Sequence, residues 1–323
     1  MKAGSSRRDF IRRILFAAAV KSLLSPFSAR ADSNLVDAKS RRVDRRRLGR
    51  INADLSILGL GLGGAFMDGY GGNREAGYAL LESALAHGVN YWDTARTYGP
   101  SEEMIAPVLL RNRDRVFMAS KSDARDYDGF KRDLDRSLQV LRTDHLELYQ
   151  LHDLRPHELG NLGAIESGAV RAAREARDQK IIRAFGVTGH SAAAILIECM
   201  RFDPDCVLTI FPSTRPDNGR YENELLPLAR ERKTGVIAMK TIRFARESGL
   251  PAKELLRYAL SLEGVTSAIV GLDSLRHLEE NAAVARNFKP MTAARRERLS
   301  KIASTALPLV SAPWDRVDYF DGC

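Results

Sequence analysis

Eight short apolar segments, each followed by an amphipathic one, are the feature that most constrains the fold of this 323-residue chain. Between residues 48 and 290 the hydrophobic period switches repeatedly from that of a strand to that of a helix. No proline- and serine-rich linker interrupts this region, so we predict a single domain. The predicted strands are Leu58–Gly61, Val89–Asp93, Val116–Ser120, Leu146–His152, Ile181–Val187, Val207–Phe211, Val236–Lys240 and Ser267–Gly271.

A helix is predicted after each of these strands. Leu134, Leu138 and Leu141 form one apolar helix face, and Ser191 and Ser274 stand where N-caps are expected. Eight strand-then-helix units predict an α/β fold, a parallel (β/α)8 TIM barrel. The helices are expected at residues 73–87, 101–111, 127–142, 164–180, 191–201, 222–233, 251–262 and 274–286, with a C-terminal helix at 293–304.

A doubly wound sheet is the alternative arrangement of alternating strands and helices. It would usually carry a glycine-rich dinucleotide turn after its first strand. The run Gly61-Leu62-Gly63-Gly64 lacks the G-x-G-x-x-G spacing of that turn. The barrel is therefore favoured.

The net charge of +9 comes mostly from the N-terminus. Residues 1–31 hold seven Lys or Arg and one acidic residue, whereas the rest of the chain is close to balanced. Because charge in the body is mixed and not striped, we predict no nucleic-acid-binding surface. Three cysteines, at 199, 206 and 323, are too few for a disulfide scaffold or a clustered metal site, so no metal is predicted.

The N-terminal segment has the order of a secretory signal. The paired arginines Arg7 and Arg8 precede a short apolar stretch, Ile14–Leu24, and the small residues Ala29 and Ala31 follow it. That stretch is too short to span a membrane. The paired arginines followed by x-Phe-Ile resemble a twin-arginine export signal. A basic amphipathic tail or a mistaken start codon is the alternative interpretation.

The signal predicts a periplasmic or exported protein. Cleavage is expected near Ala31, with the twin-arginine export machinery as a partner and no stable membrane span. The predicted organisation is a signal peptide at 1–31, a flexible linker at 32–47 and a barrel domain at 48–323.

Four ionisable side chains fall at the C-terminal ends of successive predicted strands, where barrel enzymes place their chemistry. Asp93 ends the second strand, Tyr98 lies in the following loop, Lys121 ends the third strand and His152 ends the fourth. A carbonyl acid needs a pKa closer to neutrality than that of a free tyrosine, about 10. An ammonium from Lys121 is expected to lower the pKa of Tyr98. Asp93 would orient that lysine, and His152 would donate a hydrogen bond to the carbonyl oxygen.

Each of these residues also has a structural interpretation. Asp93 before a threonine can cap a helix, Tyr98 before glycine and proline can belong to a turn, and His152 can be a core histidine. Their convergence at matched strand ends favours the functional interpretation.

Three motifs in this region resemble those of the aldo-keto reductase family. They are Asn90-Tyr91-Trp92-Asp93-Thr94-Ala95-x-x-Tyr98-Gly99, Ala119-Ser120-Lys121 and Tyr149-Gln150-Leu151-His152. Residues 47–50 and 58–61 resemble the N-terminal hairpin and first strand of the family. The resemblance, which extends from about residue 46 to 290, implies a barrel with an N-terminal hairpin and a C-terminal helix. It also implies reduction of an aldehyde or ketone with a nicotinamide cofactor.

The resemblance assigns Tyr98 as the acid, Lys121 and Asp93 as its tuning pair, and His152 as the residue that orients the substrate. The Gly-x-Thr-Gly-His and Ala-Met-Lys patterns are similar to those of a bacterial subgroup. At these positions the usual residues of the family are replaced. Thr188 is expected to hydrogen-bond the nicotinamide amide, His190 to compensate for Gly189, Met239 to pack on the ring and Lys240 to pair with the pyrophosphate. The further implied cofactor contacts are Gly61, Leu62, Asp93, Gly271, Ser274, Arg276, His277, Glu280 and Asn281.

The expected cofactor is NADPH, with NADH as the alternative. Ser274, Arg276 and His277 can meet a 2′-phosphate, although Gly271 stands where strong NADPH binders of the family often carry lysine. Glu280 and Asn281 would hold the adenine edge. The helix beginning near Ser274 also offers free amide groups to a phosphate.

The resulting hypothesis is an NADP-dependent carbonyl reductase of the alcohol dehydrogenase class. A cofactor-binding sensor on the same fold, with little turnover, is the alternative. The expected substrate contacts are Trp92, Phe66, Arg155 and Arg243, with Met67, Tyr70, Leu154 and Phe244 nearby. Arg155, Arg215 and Arg243 either favour an anionic carbonyl compound or are solvated surface charges.

Overall fold

The computed structural model describes residues 42–211, 218–243 and 245–306, together with Trp314, Arg316, Tyr319 and Asp321. The predicted signal peptide and most of the predicted linker, with Arg7, Arg8 and Ala31, lie outside the described residues. So do Arg215, Phe244 and Cys323. Within the part described, no helix is both long and apolar enough to cross a membrane.

Eight parallel strands close into a barrel, as the sequence predicts. The last strand, β10, pairs with β3, and every other barrel strand pairs with the next in the chain. The barrel strands are β3 (Leu58–Gly61), β4 (Tyr91–Asp93), β5 (Phe117–Ser122), β6 (Leu146–Leu151), β7 (Ile182–Gly189), β8 (Cys206–Ile210), β9 (Gly235–Met239) and β10 (Val265–Gly271).

Helices follow the strands and surround the barrel. They are α1 (Gly64–Tyr70), α2 (Arg74–Ala86), α3 (Ser101–Arg111), α4 (Tyr127–Leu141), α5 (Leu162–Ile165), α6 (Arg171–Asp178), α7 (Ala193–Cys199), α8 (Asn218–Arg220), α9 (Leu226–Glu231), α10 (Ala245–Ser248), α11 (Ala252–Leu260), α12 (Leu275–Arg286) and α13 (Ala293–Ala306). Single π-helical turns join α5 to α6 and α8 to α9.

A hairpin of two short strands covers the N-terminal end of the barrel. Strand β1 (Arg45–Arg47) pairs antiparallel with β2 (Asp54–Ser56). The Arg46 guanidinium donates to the carbonyl oxygens of Leu260 and Val265, at 2.9 and 2.8 Å. Residues 45–47, expected to be part of a flexible linker, are therefore paired strand. These three consecutive arginines carry no apolar signal, so the strand is not marked by a local pattern.

The glycine that follows this strand is required by close backbone packing. Gly49 has φ +48°, and a Cβ there would lie 2.3 Å from the backbone nitrogen of Gly235. Leu48 is fully buried and fills the space above Gly235. The hairpin thus closes the end of the barrel opposite the strand C-termini.

Of the two predicted helix caps, Ser274 is confirmed and Ser191 is wrong. Ser274 caps α12, since its hydroxyl accepts a hydrogen bond from the His277 backbone N–H. Ser191, also expected to be a cap, lies one residue before the N-cap Ala192 of α7. Helix α1 has no counterpart among the predicted elements because it is short, and only Phe66 and Tyr70 mark its buried face.

Candidate active site

The four predicted catalytic side chains lie together at the C-terminal end of the barrel. Asp93 ends β4, Lys121 lies near the end of β5, and His152 directly follows β6. Tyr98 is in the loop between β4 and α3, and its ring lies edge-on to that of His152, with 5.6 Å between ring centroids. Parallel strands end at the same side of a barrel, so residues 28 and more positions apart meet there.

A buried ion pair orients the lysine. Lys121 Nζ donates to Asp93 Oδ2 at 2.5 Å and to the carbonyl oxygen of Thr94 at 2.8 Å. The Lys121 ammonium makes its third contact with Tyr98 Oη, 3.4 Å away. Asp93 Oδ1 accepts from Tyr91 Oη at 3.1 Å and from Gln150 Nε2 at 3.3 Å. Each ion is about 2% exposed, so neither side chain has water as an alternative partner.

The expected lowering of the tyrosine pKa is not what this arrangement produces. Burial, followed by the carboxylates of Asp321 and Asp93, raises the pKa of Tyr98 well above its usual value. Lys121 is close enough to oppose this rise, but its charge is already compensated by Asp93 at shorter range. Tyr98 therefore holds its proton firmly in this structure.

His152 lies between two carboxylates. Its Nδ1 is 3.0 Å from Asp123 Oδ1, and its Nε2 is 3.1 Å from Asp321 Oδ2. Burial lowers the pKa of His152, but hydrogen bonds to Asp123 and Asp321 outweigh it and the pKa is raised. The histidine is thus favoured as a cation. Asp123 was missed from the sequence, although its place two residues after Lys121 put it at the same strand end.

A residue from the end of the chain completes the cluster. Asp321 accepts hydrogen bonds from Tyr98 Oη at 2.9 Å and from Lys240 Nζ at 2.9 Å. Tyr319 Oη donates to the same carboxylate at 2.5 Å. Neither tail residue was predicted, since no motif or periodicity marks residues 314–321.

The predicted nicotinamide contacts at the end of β7 are organised by their own hydrogen bonds. His190 Nδ1 is 2.6 Å from Asp153 Oδ1, and the Thr188 hydroxyl accepts from the Asp153 backbone N–H at 2.8 Å. Gly189 is required by close approach, because a Cβ there would lie 2.8 Å from the Leu154 carbonyl oxygen. This explains why a larger residue is absent at position 189.

Other predicted cofactor contacts lie at the ends of β3 and β9. Gly61 pairs in register with both Asp93 and Gly271, and the Leu62 N–H donates to the Asp93 carbonyl oxygen. Met239 ends β9 and is buried. Lys240 follows with φ +54° and its ammonium directed at Asp321.

The predicted adenosine residues line a separate cavity of about 790 Å³. Gly271, His277, Glu280 and Asn281 contribute to its wall. Ser274 contributes its hydroxyl to the cap of α12 instead. Arg276, at the exposed surface, pairs with Glu280 at 2.8 Å. His277 Nδ1 contacts Asp273 Oδ1 at 2.5 Å.

Lys253 also lines this cavity and was missed from the sequence. It lies on α11, whereas the predicted phosphate partners all lie on or next to α12. Its signal was only that of an ordinary exposed lysine. The cavity wall therefore carries a lysine that the sequence did not predict, whereas the predicted Arg276 is not part of it.

Two of the predicted substrate contacts, Trp92 and Phe66, are fully buried. Trp92 alternates with Asp93 along β4, so its side chain is on the opposite face, toward the helices. Phe66 is fully buried and packs on Tyr70 with 5.6 Å between ring centroids. Its ring also approaches Gly77 of α2. Packing in the core accounts for the burial of both side chains, and their contact with substrate stays a prediction.

The two predicted arginine contacts lie near the tail residues. Arg155 pairs with Asp153 at 2.8 Å and donates to the Tyr319 carbonyl oxygen. Arg243 is exposed, and its charge opposes the raised pKa of Tyr319. Both border the mouth of the site.

The sequence model of the Aldo/keto reductase family matches residues 58–245, more than half of the chain. The protein belongs to the aldo/keto reductase family. It is therefore an oxidoreductase that acts on carbonyl compounds, and nicotinamide cofactors serve this family.

The match to this protein covers nearly the whole length of several similar proteins. An uncharacterized oxidoreductase, YqkF, of Bacillus subtilis is 24% identical, with 75% of this chain and 90% of the relative covered. L-galactose dehydrogenase of Arabidopsis thaliana is also 24% identical, with 84% and 97% covered. The holo form of the aldo-keto reductase AKR11C1 from Bacillus halodurans has a TM-score of 0.68 at 21% identity, with 81% of this chain and 97% of that chain covered. This structural likeness supports the barrel fold.

Proposed function

We propose that this protein is an exported, NADP(H)-dependent carbonyl reductase in which Tyr98 is the general acid. The observation that carries the proposal is the cluster in which Lys121 contacts both Asp93 and Tyr98, with His152 beside the phenol. One face of the phenol meets the ammonium and its edge meets the imidazole. This arrangement can hold a carbonyl oxygen and deliver one proton to it.

The residues present fit a nicotinamide cofactor. The hydroxyls of Ser191 and Thr241 are buried at the ends of β7 and β9, and among the described residues neither has a hydrogen-bond partner. Buried polar groups without partners are costly, so such groups at a strand end suit a polar ligand. Thr188 and His190 would face the carboxamide, Lys240 the pyrophosphate, and the 790 Å³ cavity the adenosine.

A bound nicotinamide supplies the hydride for reduction of a carbonyl carbon. His152 donates to the carbonyl oxygen and fixes its position. Tyr98 releases its proton to that oxygen as negative charge develops there, and Lys121 stabilises the phenolate that remains. Asp93 keeps the lysine in place. The alcohol product forms when the oxygen takes the tyrosine proton.

The substrate class is a small aldehyde or ketone. L-galactose dehydrogenase and the D-arabinose 1-dehydrogenase of Saccharomyces cerevisiae, which is 30% identical over 42% of this chain, are among the similar proteins. A panel of hydroxylated and unsubstituted aldehydes, assayed with NADPH and with NADH, tests the proposal. Absence of cofactor oxidation with every member, in protein that binds NADPH, would overturn it.

Lys253→Ala should weaken NADPH binding by about fivefold, since an exposed lysine beside a phosphate contributes about 1 kcal/mol. NADH binding should be almost unchanged, because NADH lacks the 2′-phosphate. Titration of cofactor fluorescence at two salt concentrations measures both effects. Lys301→Ala, on α13 and paired with Glu297, is the matched control. If Lys253→Ala weakens the binding of NADPH and of NADH equally, Lys253 does not contact the 2′-phosphate.

Replacing Arg7 and Arg8 together by lysine should stop export and leave uncleaved protein in the cytoplasm. Lysine keeps the charge of the segment but removes the paired arginines that the export route reads. Cell fractionation followed by mass measurement of the N-terminus checks the result. Replacement of Arg12 and Arg13 by lysine is the control, with export retained. Mature protein in the periplasm from the first variant would reject this route.

A further inference from the structure

A carboxylate of the chain itself lies against the proposed reaction groups. Asp321 Oδ2 is 2.9 Å from Tyr98 Oη, 3.1 Å from His152 Nε2 and 3.4 Å from His190 Nε2. Asp321 Oδ1 is 2.9 Å from Lys240 Nζ. The side chain is 9% exposed, so protein groups and not water satisfy both oxygens.

Neighbouring tail residues hold this carboxylate against the barrel. The Lys240 ammonium lies 4.9 Å from the Trp314 ring centroid, and the Trp314 ring is buried beside His190 with 6.1 Å between centroids. Arg155 lies 6.0 Å from the Tyr319 ring centroid and donates to the Tyr319 carbonyl oxygen. Trp314, Tyr319 and Asp321 of the tail thus all contact Lys240 at the mouth of the barrel.

A substrate and Asp321 cannot use the same donors at once. Tyr98 has a single hydroxyl proton, and in this structure it is donated to Asp321 Oδ2. A carbonyl oxygen that receives this proton during reduction needs the hydrogen bond that Asp321 Oδ2 now accepts. His152 Nε2 contacts the same oxygen, so both oxygen-binding groups of the site are occupied.

The charges around Asp321 suit a carboxylate. Burial opposes ionisation, but His190, Lys240 and the hydrogen bond from His152 lower the pKa of Asp321 well below its usual value. In turn, burial and then Asp321 raise the pKa of Tyr98. The seated carboxylate is therefore strongly held and makes the phenol a poorer acid.

We infer that the reaction pocket is a carboxylate-binding site which the chain fills with its own Asp321, and that Asp321 competes there with the carbonyl substrate. The inference deepens the proposed carbonyl reductase function and, in its competition step, rests on it. Substrate enters when Asp321 leaves. The Asp321→Ala variant then binds a small monocarboxylate where the Asp321 carboxylate lies in the unaltered protein.

Asp321→Ala tests the inference by kinetics. KM for a test aldehyde should fall by about tenfold, because the apparent affinity of a site that is open in only a fraction of molecules is reduced by that fraction. Acetate should then inhibit competitively with the aldehyde in the variant, and much less in the unaltered protein. Asp321→Asn, which keeps the shape but removes the charge, should lie between the two.

Asp144→Ala is the matched control, since Asp144 is 96% exposed and contacts only its neighbour His145 among the described residues. It should leave both KM and acetate inhibition unchanged. A fall in kcat with unchanged KM in Asp321→Ala would show that Asp321 takes part in catalysis and would overturn the inference. Equal acetate inhibition with and without Asp321 would overturn it as well.

Calorimetric titration of acetate into the protein without cofactor or aldehyde separates this inference from the proposed function. Acetate should bind Asp321→Ala and not the unaltered protein, whether or not any aldehyde is reduced. If binding is gained while neither protein reduces any carbonyl, the carboxylate site stands and the proposed function fails. If Asp321→Ala unfolds, Asp321→Asn is compared with the unaltered protein instead. Absence of acetate binding in every variant that folds overturns the inference.

Discussion

Tyr98→Phe should lower carbonyl reduction by about 10²–10⁴-fold, the usual loss when a general acid is removed. The ring and its contact with His152 remain, so the cofactor should bind nearly as before. The loss should fall on kcat, since phenylalanine keeps the shape of the pocket but has no proton to give. Single-turnover oxidation of NADPH by a test aldehyde, with cofactor binding followed by fluorescence, measures the two effects separately.

Two comparisons isolate the proton from other effects of this change. Tyr149→Phe removes another buried hydroxyl, which contacts Ser137 at 3.3 Å, and should leave turnover unchanged. Because Tyr98 also donates to Asp321, Tyr98→Phe should be repeated in the Asp321→Ala background, where the same fold-loss is expected. Near-normal turnover of Tyr98→Phe in either background would show that another group is the acid.

Lys121→Met should lower carbonyl reduction sharply near neutral pH and move the optimum of alcohol oxidation to higher pH. Oxidation needs the Tyr98 phenolate, and the pKa of Tyr98 is already raised by burial and then by Asp321 and Asp93. Removing the ammonium 3.4 Å away takes out the positive charge that opposes this rise. The pKa of Tyr98 should then rise further, so the phenolate forms only at higher pH. The pH–rate profiles in both directions measure the shift.

The stability of this variant needs a matched comparison, because it leaves Asp93 buried without its partner. Breaking a buried ion pair by removing one ion typically costs about 3–5 kcal/mol. Asp93→Asn combined with Lys121→Met removes both charges and should recover much of the free energy of unfolding. The double variant should keep low activity, since it still lacks the ammonium beside Tyr98. Recovery of activity together with stability would mean that the pair is structural only.

The barrel could be predicted from the sequence because a local pattern of residues identifies most of its strands and helices. Each strand is a short apolar run and each helix has its own apolar face, so the period of the pattern identifies the element. Parallel strands in consecutive order bring their C-terminal ends together. The meeting of Asp93, Lys121 and His152 therefore followed from the positions of three strand ends. The short strand at residues 45–47 and helix α1 lack such a pattern. The hairpin was implied only by the family resemblance, without the bounds of this strand, and α1 was not predicted.

The sequence alone determined which side chains meet at the barrel mouth, whereas the tertiary structure decided what surrounds them. Asp321 reaches Tyr98 across 223 positions of the chain, and no local pattern encodes that contact. The direction of the Tyr98 pKa shift was predicted wrongly for the same reason. A pKa depends on burial and on every nearby charge together, and the nearest carboxylate comes from the tail and not from a barrel strand. Only the folded chain brings that charge and the phenol within hydrogen-bond distance.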